Sequence, residues 1–133
     1  MIKIMNMNMK VFIPFCLLAF LPFHSIAAAS EASMDAGWQA YQAGDYDQAF
    51  DVFSEMFKQE PENADINFAL GMAAFQKGKL SHAAFAFERV LMLDPENQRA
   101  RLELARTYSA MGMYDEASDL FQRVLDAEPP PLV

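Results

Sequence analysis

The chain has 133 residues, which is the size of one ordinary domain. Its formal net charge at pH 7 is −8, from 18 acidic and 10 basic side chains. Because affinity for a phosphate backbone depends on clustered lysine and arginine, this balance argues against a nucleic-acid-binding protein. Apolar residues make up 53% of the chain, but the first thirty residues inflate that figure.

The N-terminus has the three parts of a secretory signal peptide. Lys3 and Lys10 form a positively charged region, residues 11–23 form an apolar core, and residues 27–29 are three small alanines. A signal peptidase requires small residues of this kind before the bond that it cleaves. We predict cleavage after Ala29 and export of the mature chain to the periplasm.

An uncleaved membrane anchor is the alternative for the same segment. Residues 11–29 are long enough to span a bilayer, although Pro14, Pro22 and His24 interrupt the apolar stretch. The single cysteine, Cys16, lies within this segment and lacks the preceding residues of a lipoprotein signal. Cleavage therefore predicts a mature protein without disulfides, thiol catalysis or cysteine-based metal sites.

The rest of the chain repeats itself at a spacing of 34 residues. Five sets of equivalent positions, which we call columns, hold the same or similar residues in all three copies. Each copy predicts two amphipathic helices, of which the first ends at a glycine and the second ends before a proline. Asn63 and Asn97 follow two of the prolines and are predicted to cap the next helix. The columns are Gly37, Gly71 and Ala105; Gly44, Gly78 and Gly112; Ala49, Ala83 and Ala117; Phe53, Phe87 and Phe121; and Pro61, Pro95 and Pro129.

This pattern resembles the tetratricopeptide repeat, in which small residues lie where two helices cross. The motif continues with an alanine early in the second helix, an aromatic residue four positions later and a final proline, which the second copy supplies as Ala83, Phe87 and Pro95. The resemblance implies an all-α fold, a right-handed solenoid of three helix-turn-helix repeats after the signal peptide. We divide the chain into a signal peptide at 1–29, repeats at about 30–63, 64–97 and 98–129, and a proline-rich end at 130–133.

The first copy departs from the pattern. Trp38 and Tyr41 are displaced from the usual aromatic positions, so we expect its first helix to begin late or to pack loosely. In the repeat family the first helix of each hairpin lines a concave groove. Transferred by column, the candidate partner-binding groove holds Met34, Trp38, Tyr41, Phe68, Met72, Phe75, Leu102 and Arg106, with Arg99 at one end.

The resemblance implies a non-catalytic scaffold that binds a protein or peptide of the cell envelope in this groove. Aromatic, methionine and arginine side chains are enriched at such sites. The Lys, Asn and Arg set with which some members clamp a terminal carboxylate is missing, which disfavours a chaperone-tail adaptor. The alternative role for part of these groove residues, Phe75 especially, is core packing between helices.

Candidate catalytic residues are few. His82 is the one histidine after the signal, and its column holds Gln48 and Glu116 in the other copies, which is typical of a solvated face. Ser81 adjoins it in sequence and does not face it on a helix. The acidic pairs lack the ligand spacing of a calcium loop. We therefore predict no enzyme activity, no metal site and no cofactor.

The last repeat has no predicted capping helix after it. Tyr114, Leu120 and Val124 should then be partly exposed and available for self-association or for a partner. The ending "FQRVLDAEPPP" is similar to the N-terminal section of surface lipoprotein assembly modifiers. That weaker resemblance implies, as an alternative, a truncated or split recruiting domain of an outer-membrane β-barrel that handles surface lipoproteins.

Overall fold

The computed structural model describes residues 33–127, and within that range it contains six α-helices and no strand. The predicted signal peptide, Pro129 and the proline-rich end lie outside the described residues. The helices pair into three hairpins, as the repeat predicts. They are α1 (Met34–Gln42), α2 (Tyr46–Gln59), α3 (Ala64–Gln76), α4 (Leu80–Leu93), α5 (Gln98–Ala110) and α6 (Tyr114–Ala127).

The predicted helix ends are confirmed. The Asn63 side chain accepts hydrogen bonds from the backbone N–H groups of Asp65 and Ile66, and Asn97 accepts one from Ala100. These bonds satisfy donors that the first turn of a helix leaves free. The three column glycines follow α1, α3 and α5 with φ angles of 78°, 73° and 80°, a region that residues with a Cβ rarely adopt.

Helix α1 begins late. It has 9 residues and starts after Ser33, whose side chain accepts a hydrogen bond from the Ala36 N–H. By contrast, α3 and α5 have 13 residues each. The irregular first copy thus has a first helix that is about one turn shorter than the others.

Within each hairpin the helices cross where the small-residue column meets the phenylalanine column. A Cβ added to Gly71 would lie 2.7 Å from the Phe87 ring, and one added to Gly37 would overlap the Phe53 ring. Both phenylalanines are completely buried. The absence of a side chain at the crossing therefore lets the two helices approach closely enough to enclose the ring.

The hairpins stack through two apolar clusters. One joins the first repeat to α3 through Ala69 and Ala73, and the other joins α3 and α4 to α5 through Phe87 and Leu104. Helix α3 contacts α1 on one side and α5 on the other, so the three first helices lie side by side. Among residues 33–127, no helix combines the length and apolar character needed to cross a membrane.

Candidate functional site

The eight predicted groove residues follow the row of first helices. Half-buried side chains of α1 pack on the first apolar cluster, and those of α3 pack on the second. On α5 the corresponding side chains are more exposed. The residues are Met34, Trp38 and Tyr41 on α1, Phe68, Met72 and Phe75 on α3, and Leu102 and Arg106 on α5.

Three of these eight residues line one cleft with a volume of about 460 Å³, which we call the α1–α3 cleft. Met34 and Trp38 line it from α1, and Phe68 lines it from α3. Met56 from the end of α2 and Ile66 from the start of α3 complete its apolar lining. The polar lining consists of Glu60, Asn63, Asp65 and Arg99.

The cleft lies at the start of the short first helix. Met34 is the first residue of α1, whereas α3 and α5 have an additional turn at that end. Met56 near the end of α2 is half-buried and Ile66 near the start of α3 is 2% exposed, and both line the cleft beside Met34. The cleft therefore lies beside the irregular start of the first copy, at the edge of the predicted groove.

The loop that borders the cleft is held in place by a buried polar network. Asn67 is fully buried, and its amide nitrogen donates to the backbone carbonyls of Pro61 and Asn63 at 2.9 and 2.8 Å. Its side-chain oxygen accepts from Nε of Arg89 on α4, and the same guanidinium donates to the Pro61 carbonyl at 2.7 Å. Because each polar group has a partner, the loop between α2 and α3 is preorganised.

Arg99 is the cationic residue of the cleft. Its guanidinium lies 4.8 Å from the centre of the Phe68 ring, a cation–π distance. Within the described part of the chain it forms no ion pair, although Glu60 and Asp65 line the same cleft. An arginine stacked on an aromatic ring retains donors for a carboxylate, so this side of the cleft favours an acidic ligand group.

The other five predicted groove residues do not line this cleft. Tyr41 packs edge-on against Tyr46, and its hydroxyl accepts a hydrogen bond from Gln76, so it joins α1 to α2 and α3. Phe75 lies under the Arg106 guanidinium at 5.9 Å, and that guanidinium pairs with Glu103. Met72 packs on the second cluster, and Leu102 is 38% exposed.

Transfer of the first-helix columns missed part of the cleft. Met56, Glu60, Asn63 and Ile66 belong to the end of α2, the following loop and the start of α3, which lie outside the first-helix columns that were transferred. The sequence signal nearest to them is the late start of α1, because Met34, its first residue, lines the same cleft. That signal lies in the irregularity of the first copy and not in its columns.

The three residues predicted to be partly exposed on the last helix differ from one another. Tyr114 is 69% exposed, and Val124 is half-buried. Leu120 is also half-buried, and its covered side packs on the cluster around Phe87 and Leu104. Helix α6 therefore has one edge in contact with the core and another edge that is exposed.

The described residues contain little that resembles a reaction centre. His82 is exposed and lies edge-on to Phe50 at 6.3 Å, as expected for a solvated face. Among residues 33–127, no three His, Cys, Asp or Glu side chains are grouped to hold a metal ion. Burial and the carboxylate of Glu88, to which its hydroxyl donates, raise the pKa of Tyr108 to about 12. This neutral hydroxyl connects α5 to α4.

Two family models match the chain, and both are described as tetratricopeptide repeat. One matches residues 34–98 and the other matches residues 74–133, so together they cover all six helices. Among curated proteins, none matches the sequence.

Solved structures of helical-repeat proteins are similar to this chain. MamA AMB-1 shares 26% identity over 73% of this chain, with a TM-score of 0.66, and this chain spans only 53% of that protein. The first TPR of Spaghetti (RPAP3) bound to the HSP90 peptide SRMEEVD shares 22% identity over 74% of this chain and 78% of its own, with a TM-score of 0.68. The Arabidopsis OM64 TPR domain shares 22% identity over 72% and 79% of the two chains, also with a TM-score of 0.68.

Proposed function

Because the chain belongs to the tetratricopeptide repeat family, we propose that it is a non-catalytic scaffold that binds a protein or peptide partner on the face built by α1, α3 and α5. The observation that carries the proposal is the α1–α3 cleft, which apolar side chains line together with the Arg99 side chain. A protein of the same fold, the first TPR of Spaghetti, is bound to a peptide. That likeness supports a peptide as the class of ligand.

The lining of the cleft limits the chemistry of the peptide. An apolar side chain fits between Trp38 and Phe68, where it would displace water from aromatic surface. An acidic group next to it would reach Arg99, whereas Glu60 and Asp65 repel acidic groups at the polar edge. We therefore expect a partner segment in which a large apolar residue is followed or preceded by one acidic residue.

A peptide library panned against the purified full chain tests this proposal. The single tryptophan, Trp38, lies in the cleft, so its fluorescence reports directly on peptide binding. We expect the selected peptides to share an apolar and an acidic position. Both Phe68→Ala and Arg99→Glu should weaken binding about tenfold or more, as expected for residues at the centre of an interface.

Met92→Ala serves as the matched control, because Met92 is a 78% exposed apolar side chain on α4 and does not line the cleft. This variant should bind like the unmodified chain. Selection of no common sequence would contradict the proposal. Binding that is unchanged in both cleft variants would also contradict it, since another surface would then be the binding site.

We also propose that the scaffold is exported and works in the cell envelope, with the periplasm as its compartment. The support is the charged region, apolar core and small-residue site of residues 1–29. Mass spectrometry of the protein purified from its host tests this, because cleavage after Ala29 gives a mature chain that begins at Ser30. A protein that retains residues 1–29 in the membrane fraction would instead support an anchor.

A second candidate function is the recruiting section of an outer-membrane protein that handles surface lipoproteins. The observation that favours it is the exposed apolar edge of α6, with Tyr114 and Leu125 at 69% and 62% exposure, next to the "FQRVLDAEPPP" stretch. Sequencing the genomic DNA downstream of the codon for Val133 separates the two candidates. A coding region for an outer-membrane section supports the second, and an unrelated gene excludes it.

A further inference from the structure

Helix α6 carries a partly apolar face that, among the described helices, only α5 of its own hairpin adjoins. We call it the terminal face and define it by Tyr114, Ser118, Phe121, Gln122 and Leu125. Together with Ser109 and Ala117, these residues line a recess of about 350 Å³. Leu125 is 62% exposed, so the recess opens directly to solvent.

The equivalent face of α4 indicates what shape of ligand fits there. Ala84, Phe87 and Leu91 precede Ser118, Phe121 and Leu125 by 34 residues and lie in the cluster that α5 completes. With α5 in place, Phe87 is completely buried and Ala84 is 6% exposed. The terminal face is therefore built to receive one α-helix in the orientation in which α5 lies on α4.

The first helix of a second copy is a poor occupant. Ala69 and Ala73, through which α3 packs on the first repeat, are completely buried. The corresponding residues of α1 are Asp35 and Gln39, and both are exposed. A head-to-tail contact between copies would press these polar groups onto the apolar terminal face without partners for them.

A symmetric pair of α6 helices is disfavoured by charge. The helix carries four carboxylates, on Asp115, Glu116, Asp119 and Asp126, and one cation, on Arg123. Two copies placed face to face would bring eight carboxylates and two guanidinium groups together. Like charges at an interface oppose association, so the terminal face calls for a positively charged partner.

The first junction between repeats suggests where one of those positive charges lies. Asp47 at the start of α2 forms a 2.7 Å ion pair with Lys77, the residue that follows α3. Asp115 is the equivalent of Asp47 on α6, and it forms no ion pair with the described residues. At the second junction the residue equivalent to Asp47 is Ser81 on α4. The residue that follows α5, Met111, is uncharged.

We propose that the terminal face binds a positively charged amphipathic α-helix of another protein, oriented like α5 on α4, with a lysine or arginine at its C-terminal end beside Asp115. This site shares no lining residue with the α1–α3 cleft, so each proposal can be tested without the other. It gives the scaffold a second binding surface at the end of the stack.

A helix-constrained synthetic peptide of residues 97–113 tests the proposal, since this segment contains the helix that covers the equivalent face of α4. The probe carries the substitution Met111→Lys, and the matched control peptide carries Met111→Glu. Both are titrated onto the purified full chain by fluorescence anisotropy. We expect the Met111→Lys peptide to bind about threefold or more tightly than its control, as for one exposed ion pair replaced by a like-charge contact.

Variants of the protein locate the binding surface. Leu125→Glu should weaken binding of the Met111→Lys peptide about tenfold, because the substitution places a charge in the recess. Met92→Glu, at a 78% exposed apolar residue of α4, should leave binding of this peptide unchanged. Arg99→Glu, in the α1–α3 cleft, should also leave it unchanged. Asp115→Lys should reverse the preference between the two peptides.

Three results would overturn the proposal. The first is the absence of binding by either peptide, and the second is binding that Leu125→Glu leaves unchanged. The third is a concentration-dependent dimer, measured by light scattering, that Leu125→Glu dissociates, because the terminal face would then be occupied by a second copy. Circular dichroism of each variant verifies that the helices are retained.

Discussion

Helices α4 and α6 have the same repeat columns but very different surroundings. Ala83 and Ala117 are both buried, at the point where each second helix crosses its own first helix. Four residues later the two helices diverge, since Phe87 is completely buried and Phe121 is only half-buried. The column determines which residue lies at the crossing, whereas the neighbouring helix determines how much of that residue is removed from water.

This comparison implies that the free energy of unfolding is unevenly distributed along the stack. The middle repeat has a helix on either side, and α3 alone contributes six buried residues. Helix α6 contributes only Ala117. In repeat proteins stability is approximately a sum of repeat and interface contributions, so the last hairpin should open before the middle one.

The largest expected effect tests this inequality directly. Phe87→Ala should lower the free energy of unfolding by about 3–5 kcal/mol, the range for a fully buried phenylalanine. Phe121→Ala should lower it by a smaller amount, because that ring is only half-buried and less of its surface returns to water. Urea unfolding of the full chain, followed by circular dichroism, measures both. Equal losses would mean that α6 is covered in solution.

The second test concerns the helix crossing. Gly71→Ala should destabilise the protein by about 1–3 kcal/mol, because the new Cβ would lie 2.7 Å from the Phe87 ring in a closed space. In an ordinary helix interior, the same change would stabilise by up to about 1 kcal/mol.

The third repeat provides the control for the crossing. Its equivalent residue, Ala105, already has a Cβ and is fully buried opposite the half-buried Phe121. Ala105→Gly should therefore destabilise by about 1 kcal/mol through helix propensity and lost packing. A stabilised Gly71→Ala variant, measured by the same urea titration, would contradict the close approach of α3 and α4.

The fold could be predicted from the sequence because local and repeated signals agree. Asn63 as an N-cap, Gly78 after a helix and Ala83 at a crossing each have one physical role, and the spacing of 34 residues repeats that role. The late start of α1 was also predictable, from the displaced Trp38 and Tyr41.

The site was harder to predict because it depends on an empty volume and not on a pattern. The groove columns contribute Met34, Trp38 and Phe68 to the cleft, whereas Met56 and Ile66 line it from the end of α2 and the start of α3, outside those columns. The contact of Tyr41 with Tyr46 and Gln76 likewise depends on side-chain directions that column spacing does not specify. Residue columns predict packing well, and they predict exposure only where the neighbouring helix is known.

The glycine that follows the first helix is a feature that the second and third repeats share, so its substitution should lower the stability equally in both. Gly78 and Gly112 have φ angles of 73° and 80°, and an added Cβ would meet no other atom within 4 Å at either position. Gly78→Ala and Gly112→Ala should each destabilise by about 1–2 kcal/mol, through backbone conformation alone. Thermal unfolding of both variants measures this. A much smaller loss for Gly112→Ala would show that opening of the last hairpin precedes global unfolding.

The smallest expected effect concerns a contact that α4 has and α6 lacks. Tyr108 on α5 donates to Glu88 on α4, and the equivalent of Glu88 on α6 is Gln122. The pKa of Tyr108 is raised from 10.0 to about 12 by burial and by Glu88. The folded chain therefore keeps this proton between pH 10 and about 12 while the unfolded chain loses it, so unfolding becomes more favourable as the pH rises.

Tyr108→Phe removes this titration and keeps the ring. The stability advantage of the unmodified chain over Tyr108→Phe should be full below pH 10 and should disappear as the pH rises through about 12. Urea midpoints of the two chains across that range measure the difference. Tyr114→Phe, at an exposed tyrosine of α6, is the matched control variant. If the difference in urea midpoint between Tyr108→Phe and the unmodified chain does not change with pH, the hydroxyl does not join α5 to α4. The helices α4 and α6 would then be more alike than their burial indicates.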